Sequence, residues 1–316
     1  MKHDIMWAYL IHLSDNMWGD TPETRPTPFH PTLGVDDATW RKVIDFLPQQ
    51  GFNTVLIDVG DAVQYESHPE IVIPGAWSKD KLKAELDYMR SIGLMPLPKL
   101  NFSTCHDAWM GEYARMVSTT PYYNVCKDLI LETAELFGNP EYFHLGMDEE
   151  TAEHQRSFQY AVMRQGDLWW NDLYYLFDCC DKAGTRPWVW ADAVWSTRGK
   201  QAEYLRKMPK SALQSNWSYH PIKWDSEGKL IDPPYEAYLT LDKAGFDQVP
   251  TSSTWDKAQN SFETMQLVKE NCDPALVKGY MTAPWKFTYA SEVYDLMNDA
   301  LRFGLAKQDV YPEECK

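Results

Sequence analysis

The stretch Ser78-Lys79-Asp80-Lys81-Leu82-Lys83-Ala84-Glu85-Leu86-Asp87-Tyr88-Met89-Arg90-Ser91-Ile92-Gly93-Leu94-Met95-Pro96-Leu97-Pro98-Lys99-Leu100 decides the fold. Leu82, Leu86, Met89 and Ile92 fall on one face at helical spacing, and Ser78 before them suits an N-cap, because its hydroxyl can accept from a free backbone N–H of the first turn. Gly93 suits the stop, since only glycine enters the left-handed region without a steric penalty. The run Leu94 to Leu100 is short and apolar, as a buried strand is. Helix, glycine, strand is the chemistry of an αβ loop, and it recurs at Gly51-Phe52 and Gly184-Thr185.

Reading outward, the same alternation predicts eight strands: Ile5 to Leu13, Thr54 to Val59, Leu94 to Leu100, Tyr142 to Leu145, Pro187 to Ala191, Ala212 to Trp217, Phe246 to Ser252 and Val277 to Ala283. Helical spacing lies between them at Asp37 to Gln50, Tyr123 to Phe137, Leu168 to Ala183, Gln201 to Lys207, Tyr235 to Ala244, Lys257 to Asn271 and Ala290 to Leu305. No Ser/Gly/Pro-rich linker divides the chain, and the Pro-rich piece Thr21 to Pro31 reads as a loop after the first strand. A doubly wound sheet would need GxGxxG after an early strand, and none is present. The expectation is one domain over residues 1–316, an α/β fold of the (β/α)8 TIM-barrel type.

Composition narrows the function. A net charge of -16 repels phosphate backbones, and no Lys/Arg cluster offsets it, so nucleic acid is not an expected partner. No apolar run is long enough for a membrane span. Fourteen Trp and 18 Tyr supply flat aromatic faces, which serve either as core or as stacking platforms for ligands such as sugars. The six cysteines lack paired spacing, and His12, His68, His106, His144, His154 and His220 lack HxxxH or HxH spacing, so no metal, cofactor or disulfide scaffold is implied. The start MKHDIMWAYLIHLSDN meets Asp4, His12 and Asp15 early and has no small-residue cleavage site. It reads as the start of a cytoplasmic protein, or of an exported one whose signal lies outside this sequence.

A (β/α)8 barrel carries its active site at the C-terminal ends of its strands. These ends are polar and aromatic here. The first strand delivers His12, Ser14, Asp15 and Trp18, the second Asp58 and Asp61, and the third Asn101, His106, Asp107 and Trp109. The fourth delivers His144 and Asp148-Glu149-Glu150; the later ones deliver Trp190 and Asp192, Asn216, Trp217 and Tyr219, Trp255 and Asp256, and Trp285. An Asp–Glu pair in an aromatic cleft suits glycoside hydrolysis, which needs a carboxylic acid to protonate the leaving oxygen. Glu149 fits that role, with Asp148 and desolvation expected to raise its pKa. The plain alternative is that Asp148 to Glu150 begin a helix, where carboxylates favour the positive dipole end. A retaining mechanism commonly places a second carboxylate roughly 5 Å from the acid. The seventh strand ends Pro250-Thr251-Ser252-Ser253-Thr254-Trp255, with no acid before Asp256, which leaves room for a substrate that supplies its own nucleophile.

Phe143-His144-Leu145-Gly146-Met147-Asp148-Glu149 resembles the His-x-Gly-x-Asp-Glu end of the fourth strand in glycoside hydrolase family 20, the β-N-acetylhexosaminidases. Lys81 to Pro98, Trp188 to Asp192 and Gly279 to Trp285 are similar to further parts of that family's barrel. The resemblance implies that Glu149 is the general acid/base and that Asp148 orients a 2-acetamido group, whose carbonyl oxygen attacks the anomeric carbon. It also implies a carbohydrate partner, with Trp190, Trp217 and Trp285 as pocket walls; His12, Asp15, Asp58, Asn101, His106, His144, Asp192 and Trp255 are further binding candidates by their places at or near strand ends.

Departures accompany it. Pro98-Lys99-Leu100-Asn101-Phe102-Ser103-Thr104-Cys105-His106 stands where the family reads Pro-Glu-x-Asp-x-Pro-Gly-His. His12 and Asp15 stand in place of a sugar-gripping Arg, Lys286 and Phe287 follow Trp285 in place of a Glu, and Trp255 and Asp256 replace a Tyr and an Asp. The small α/β domain commonly placed ahead of that family's barrel is not expected here. Two other readings therefore stay open: a glycosidase of different sugar preference that pairs Glu149 with Asp192, Asp58 or Asp256, and a non-catalytic carbohydrate-binding barrel.

Overall fold

The structure, a computed structural model, describes residues 5–196 and 200–315. Its strands are β1 (Met6–His12), β2 (Thr54–Asp58), β3 (Met95–Lys99), β4 (Tyr142–His144), β5 (Arg186–Trp190), β6 (Leu213–Ser215), β7 (Thr251–Ser252) and β8 (Gly279–Thr282). Between and after them run α1 (Asp37–Phe46), α2 (Lys79–Ser91), α3 (Thr120–Leu136), α4 (Asp167–Lys182), α5 (Ala193–Ser196), α6 (Gln201–Lys207), α7 (Pro233–Lys243), α8 (Asn260–Asn271) and α9 (Val293–Val310). Helix α2 forms as its sequence dictates: the Ser78 hydroxyl accepts from Lys81 N, Leu82, Leu86 and Met89 are buried, and Gly93 follows at φ 85°.

All strand pairs are parallel, in the order β6-β5-β4-β3-β2-β1-β8-β7. Single bridges, Gln214 to Gln248 and Trp217 to Thr251, close the ring between β6 and β7, so the eight-unit (β/α)8 barrel is complete. The seventh strand is shorter than its apolar run predicts. Pro250 has no N–H to donate, and residues before it pair through isolated bridges rather than a ladder.

Alternation along the strands sorts two cores. Tyr9, Ile11, Val55 and Ile57 face the helices, whereas Ala8, Leu10, Leu56, Leu97, Trp188, Leu213 and Met281 fill the barrel. The last inward position of the first four strands is polar instead. His12, Asp58, Lys99 and His144 are register neighbours across β1 to β4, and all four are fully buried. The six cysteines are free, five of them buried. Among the described residues no helix is long and apolar enough to cross a membrane.

Candidate active site

The acidic segment does not begin a helix. Strand β4 ends at His144, and residues 145–166 run as one irregular loop before α4 starts at Asp167. Within the β4 loop, Gly146, Met147 and Glu149 have φ of 73°, 75° and 54°. Such left-handed conformations are strained for side-chain-bearing residues and persist only where surroundings enforce them. The enforcement is visible: His144 Nδ1 accepts from Gly146 N (3.0 Å), Asn101 Oδ1 from Met147 N (3.3 Å), and Asp192 Oδ2 from Glu149 N (3.1 Å). The Ser103 hydroxyl donates to the Asp148 carbonyl and the Cys105 thiol to that of Glu149. Three strands thus fix one turn.

The two carboxyl groups it presents are held differently. Asp148 is buried, with Oδ1 accepting from Asn101 Nδ2 at 2.9 Å and Oδ2 lying 3.3 Å from His106 Nε2. Asn101 replaces an expected Asp here, and it supplies the donor that a second carboxylate could not. The Glu149 side chain is 28% exposed, with Oε2 3.3 Å from the same His106 Nε2 and Oε1 3.4 Å from His154 Nε2 on the loop's outer side. Burial opposes charge on His106, but Asp148 and then Glu149 outweigh it and raise its pKa well above the ordinary value, so the ring is an imidazolium shared by both acids.

This geometry corrects the sequence expectation for Glu149. Burial does push its pKa up, as an aromatic cleft should, but hydrogen bonds and charge from His106 and His154 more than offset it and hold the carboxyl well below its usual range. The pKa of Asp192 does rise, through burial and then the charge of Asp148, and burial likewise raises those of Asp15, Asp61 and Asp107. His106, Asp148 and Glu149 each offer one ligand-type atom, and these three atoms lie within 4.8 Å of one another. A cation there would first have to displace the His106 proton.

Beneath and around the pair, Lys99 Nζ lies 2.5 Å from Asp58 Oδ2, and His12 Nδ1 3.3 Å from the same oxygen. Burial disfavours the charged Asp58, but Lys99 and His12 lower its pKa to about 2. His144 is held neutral by burial and by Lys99. Aromatic walls stand over this layer. Trp285 packs at 6.0 Å from Trp190, 6.3 Å from Trp18, 6.3 Å from Tyr219 and 5.9 Å from His12, measured between ring centroids, and Trp217 stacks on Tyr219 at 5.2 Å. Trp190 Nε1, His144 Nε2 and Asp192 Oδ1 are buried with no hydrogen-bond partner in the protein, while Tyr219 OH and Trp285 Nε1 face each other. Buried polar atoms are normally satisfied, so three such atoms beside one another suit a polar guest.

The structure therefore brings His12, Asp58, Asn101, His106, His144, Asp148, Glu149, Trp190, Asp192, Trp217 and Trp285 together at the C-terminal end of the barrel. Asp15 is buried at its edge, where Oδ2 accepts from Gly34 N (3.1 Å) and Tyr289 OH (2.9 Å). Trp255 is 65% exposed, and the neighbouring Asp256 pairs with His220 at the surface. Sequence reasoning missed His154 and Arg164. The buried Arg164 grips Glu150 through Nε and Nη2, both at 2.9 Å, and reaches Asp172 at 3.4 Å, tying the β4 loop to α4.

No protein-family model and no curated protein matches the chain. Solved structures do. A Vibrio harveyi GH20 exo-β-N-acetylglucosaminidase, solved with N-acetylglucosamine, is 14% identical at a TM-score of 0.61, covering 99% of this chain and 58% of its own. A Streptomyces plicatus N-acetyl-β-hexosaminidase in complex with Thio-NAglucal is 14% identical at 0.64, covering 96% and 64%. A β-N-acetylhexosaminidase from Bacteroides fragilis is 12% identical at 0.61, covering 98% and 71%. The chain thus spans 58% of the Vibrio structure, and at such identities the likeness is one of fold.

Proposed function

We propose that the chain is a retaining exo-glycoside hydrolase that removes a terminal β-linked N-acetylhexosamine by substrate-assisted catalysis. The observation that carries this reading is the division of labour between adjacent acids: Asp148 buried between Asn101 and His106, Glu149 partly open toward the loop. Asp148 accepts from the acetamide N–H and so aims its carbonyl oxygen at the anomeric carbon. As that oxygen bonds to the carbon, the glycosidic bond breaks, and Glu149 gives its proton to the departing oxygen. Glu149, now a carboxylate, then takes a proton from the water that opens the oxazolinium ring, which restores both acid and β configuration.

The resting charge on Glu149 is compatible with this role. The His154 side chain is 42% exposed on a loop, so an arriving aglycone can take its place. Burial, the largest influence on Glu149, is then opposed by His106 alone, so the carboxyl's pKa rises toward that of a proton donor. The unpartnered Trp190 Nε1 would hydrogen-bond the acetamide or a hydroxyl between aromatic faces.

Hydrolysis of an aryl β-N-acetylglucosaminide or galactosaminide tests the proposal. Glu149→Gln should slow it by about 10²- to 10⁴-fold, the usual worth of a positioned general acid; an unaffected rate would sink it. A second reading is favoured by Asp192, which is buried, retains an unpartnered oxygen and contacts the Glu149 amide. If Asp192 were a protein nucleophile or base, substrates lacking the 2-acetamido group would also turn over, and substrate assistance expects that they do not.

A further inference from the structure

Donor atoms from two strand ends meet at the acid pair. His106 Nε2, from the loop after β3, lies 3.3 Å from Asp148 Oδ2 and 3.3 Å from Glu149 Oε2, both on the loop after β4. Two ligands bound tetrahedrally to one zinc ion at about 2.0–2.1 Å stand roughly 3.3–3.4 Å from each other, so separations that suit a shared proton suit a shared ion equally. The third separation is also short, since each residue offers one donor atom within 4.8 Å of the other two. His106 is distant in sequence from the two acids, so no HxxxH or HxH spacing announces the group.

The surroundings of these donors also call for a cation. Asp192 is buried beside them with Oδ1 unpartnered, and it feels the charge of both Asp148 and Glu149. Three carboxyl groups thus converge, while the ammonium of Lys99 is already engaged by Asp58. The donors are oriented from behind: Asp148 Oδ1 accepts from Asn101 Nδ2 at 2.9 Å, and Glu149 N donates to Asp192 Oδ2 at 3.1 Å, as the outer contacts of metal ligands do. The Glu149 side chain, 28% exposed, leaves a path from solvent and room for water as a further ligand. One imidazole with two carboxylates is a mixed nitrogen and oxygen set. It suits zinc and its neighbours, whereas Ca²⁺ and Mg²⁺ are held by oxygen.

We propose that His106, Asp148 and Glu149 bind a zinc-class divalent cation and that the bound ion switches hydrolysis off. The ion takes the lone pair of His106 Nε2, whose proton passes to solvent, together with an oxygen from each carboxylate. Glu149 then cannot carry a proton to the leaving oxygen, and Asp148 cannot accept from the acetamide. The binding stands on the geometry, and the inhibition rests on the hydrolase reading above.

Protein treated with a chelator and then freed of it is titrated calorimetrically with Zn²⁺, and with Co²⁺ followed by visible absorption, in wild type, Glu149→Gln and His106→Gln. Wild type should take up a single ion per chain, and each variant should bind at least about tenfold more weakly. Glu149→Gln is isosteric and partly exposed, so it carries the test if His106→Gln does not fold. Zn²⁺ should raise the melting temperature of wild type and leave that of Glu149→Gln in place. No saturable uptake by wild type overturns the site, as does equal uptake by folded Glu149→Gln, the result that adventitious binding at surface histidines would give. Hydrolysis of the aryl glycoside, with substrate below KM, should fall about tenfold at an ion concentration about ten times its Kd and return with EDTA. An unchanged rate there overturns the switch. If wild type cleaves no glycoside even without added ion, the inhibition falls with the hydrolase reading, and the titration still decides the site.

Discussion

A Cβ atom on Gly146 would fall 1.8 Å from Oδ1 of Asn101, closer than any two non-bonded heavy atoms can come. That amide oxygen accepts from Ser103 N and Met147 N, while its nitrogen donates to Asp148. The glycine is therefore required twice, by its φ of 73° and by the side chain above it. Gly146→Ala is expected to lose about 1–3 kcal/mol of stability. It should also release Asp148 from Asn101, with activity falling by at least about tenfold, the equivalent of roughly 1.4 kcal/mol. Thermal denaturation beside kcat/KM checks both, and an unchanged melting temperature would contradict the packing argument.

The buried Lys99–Asp58 pair makes stability depend on acid. The folded pKa of Asp58, about 2, lies below the unfolded value, so its contribution is fully present above about pH 4 and is lost as pH falls toward 2. The shift corresponds to about 2 kcal/mol. Asp58→Asn should flatten that part of the stability–pH curve. At neutral pH it should also leave Lys99 as an uncompensated buried charge, which costs about 3–5 kcal/mol. Denaturant unfolding at several pH values would refute this if the acid limbs of wild type and variant coincide.

His154 and His106 act in one direction on Glu149, and burial acts in the other. His154→Ala removes one of the two cations, so the Glu149 pKa should rise, and His154→Ala with His106→Phe should raise it above that of a free glutamate. Carboxyl ¹³C chemical shifts of labelled Glu149, followed through a pH titration, report the change directly. A pKa that stays put in the single variant would remove His154 from the account of the acid.

How far the sequence could carry this reading depended on what fixed each feature. Helix α2 was legible because its cap, apolar face and terminal glycine are all local. The meeting of His144 to Glu149 with the other strand ends was legible because strand ends converge in a barrel whatever their loops do. His154 and Arg164 were not. They lie in a 145–166 loop without periodicity, where the contacts to Glu149 and Glu150 follow from a path that no spacing rule encodes. The direction of the Glu149 shift was misread for the same reason, since burial is visible in composition and the positions of two histidines are not.

Arg164 gives the last test of that loop. Its guanidinium meets Glu150 in a two-pronged contact, reaches Asp172 on α4 and donates to the Phe102 carbonyl, all in a buried setting. Removing one member of such a network strands the others, so Arg164→Met should cost about 3–5 kcal/mol. Arg164→Lys should recover only part of this, because an ammonium keeps the charge but cannot form the planar fork. Pairing Arg164→Met with Glu150→Gln removes the stranded acid as well, and should be more stable than Arg164→Met alone. Urea unfolding of the three variants, with limited proteolysis of the 145–166 loop as the local readout, distinguishes the outcomes. If the double variant were no more stable than the single, the energetics would lie in packing of the arginine stem rather than in its charge.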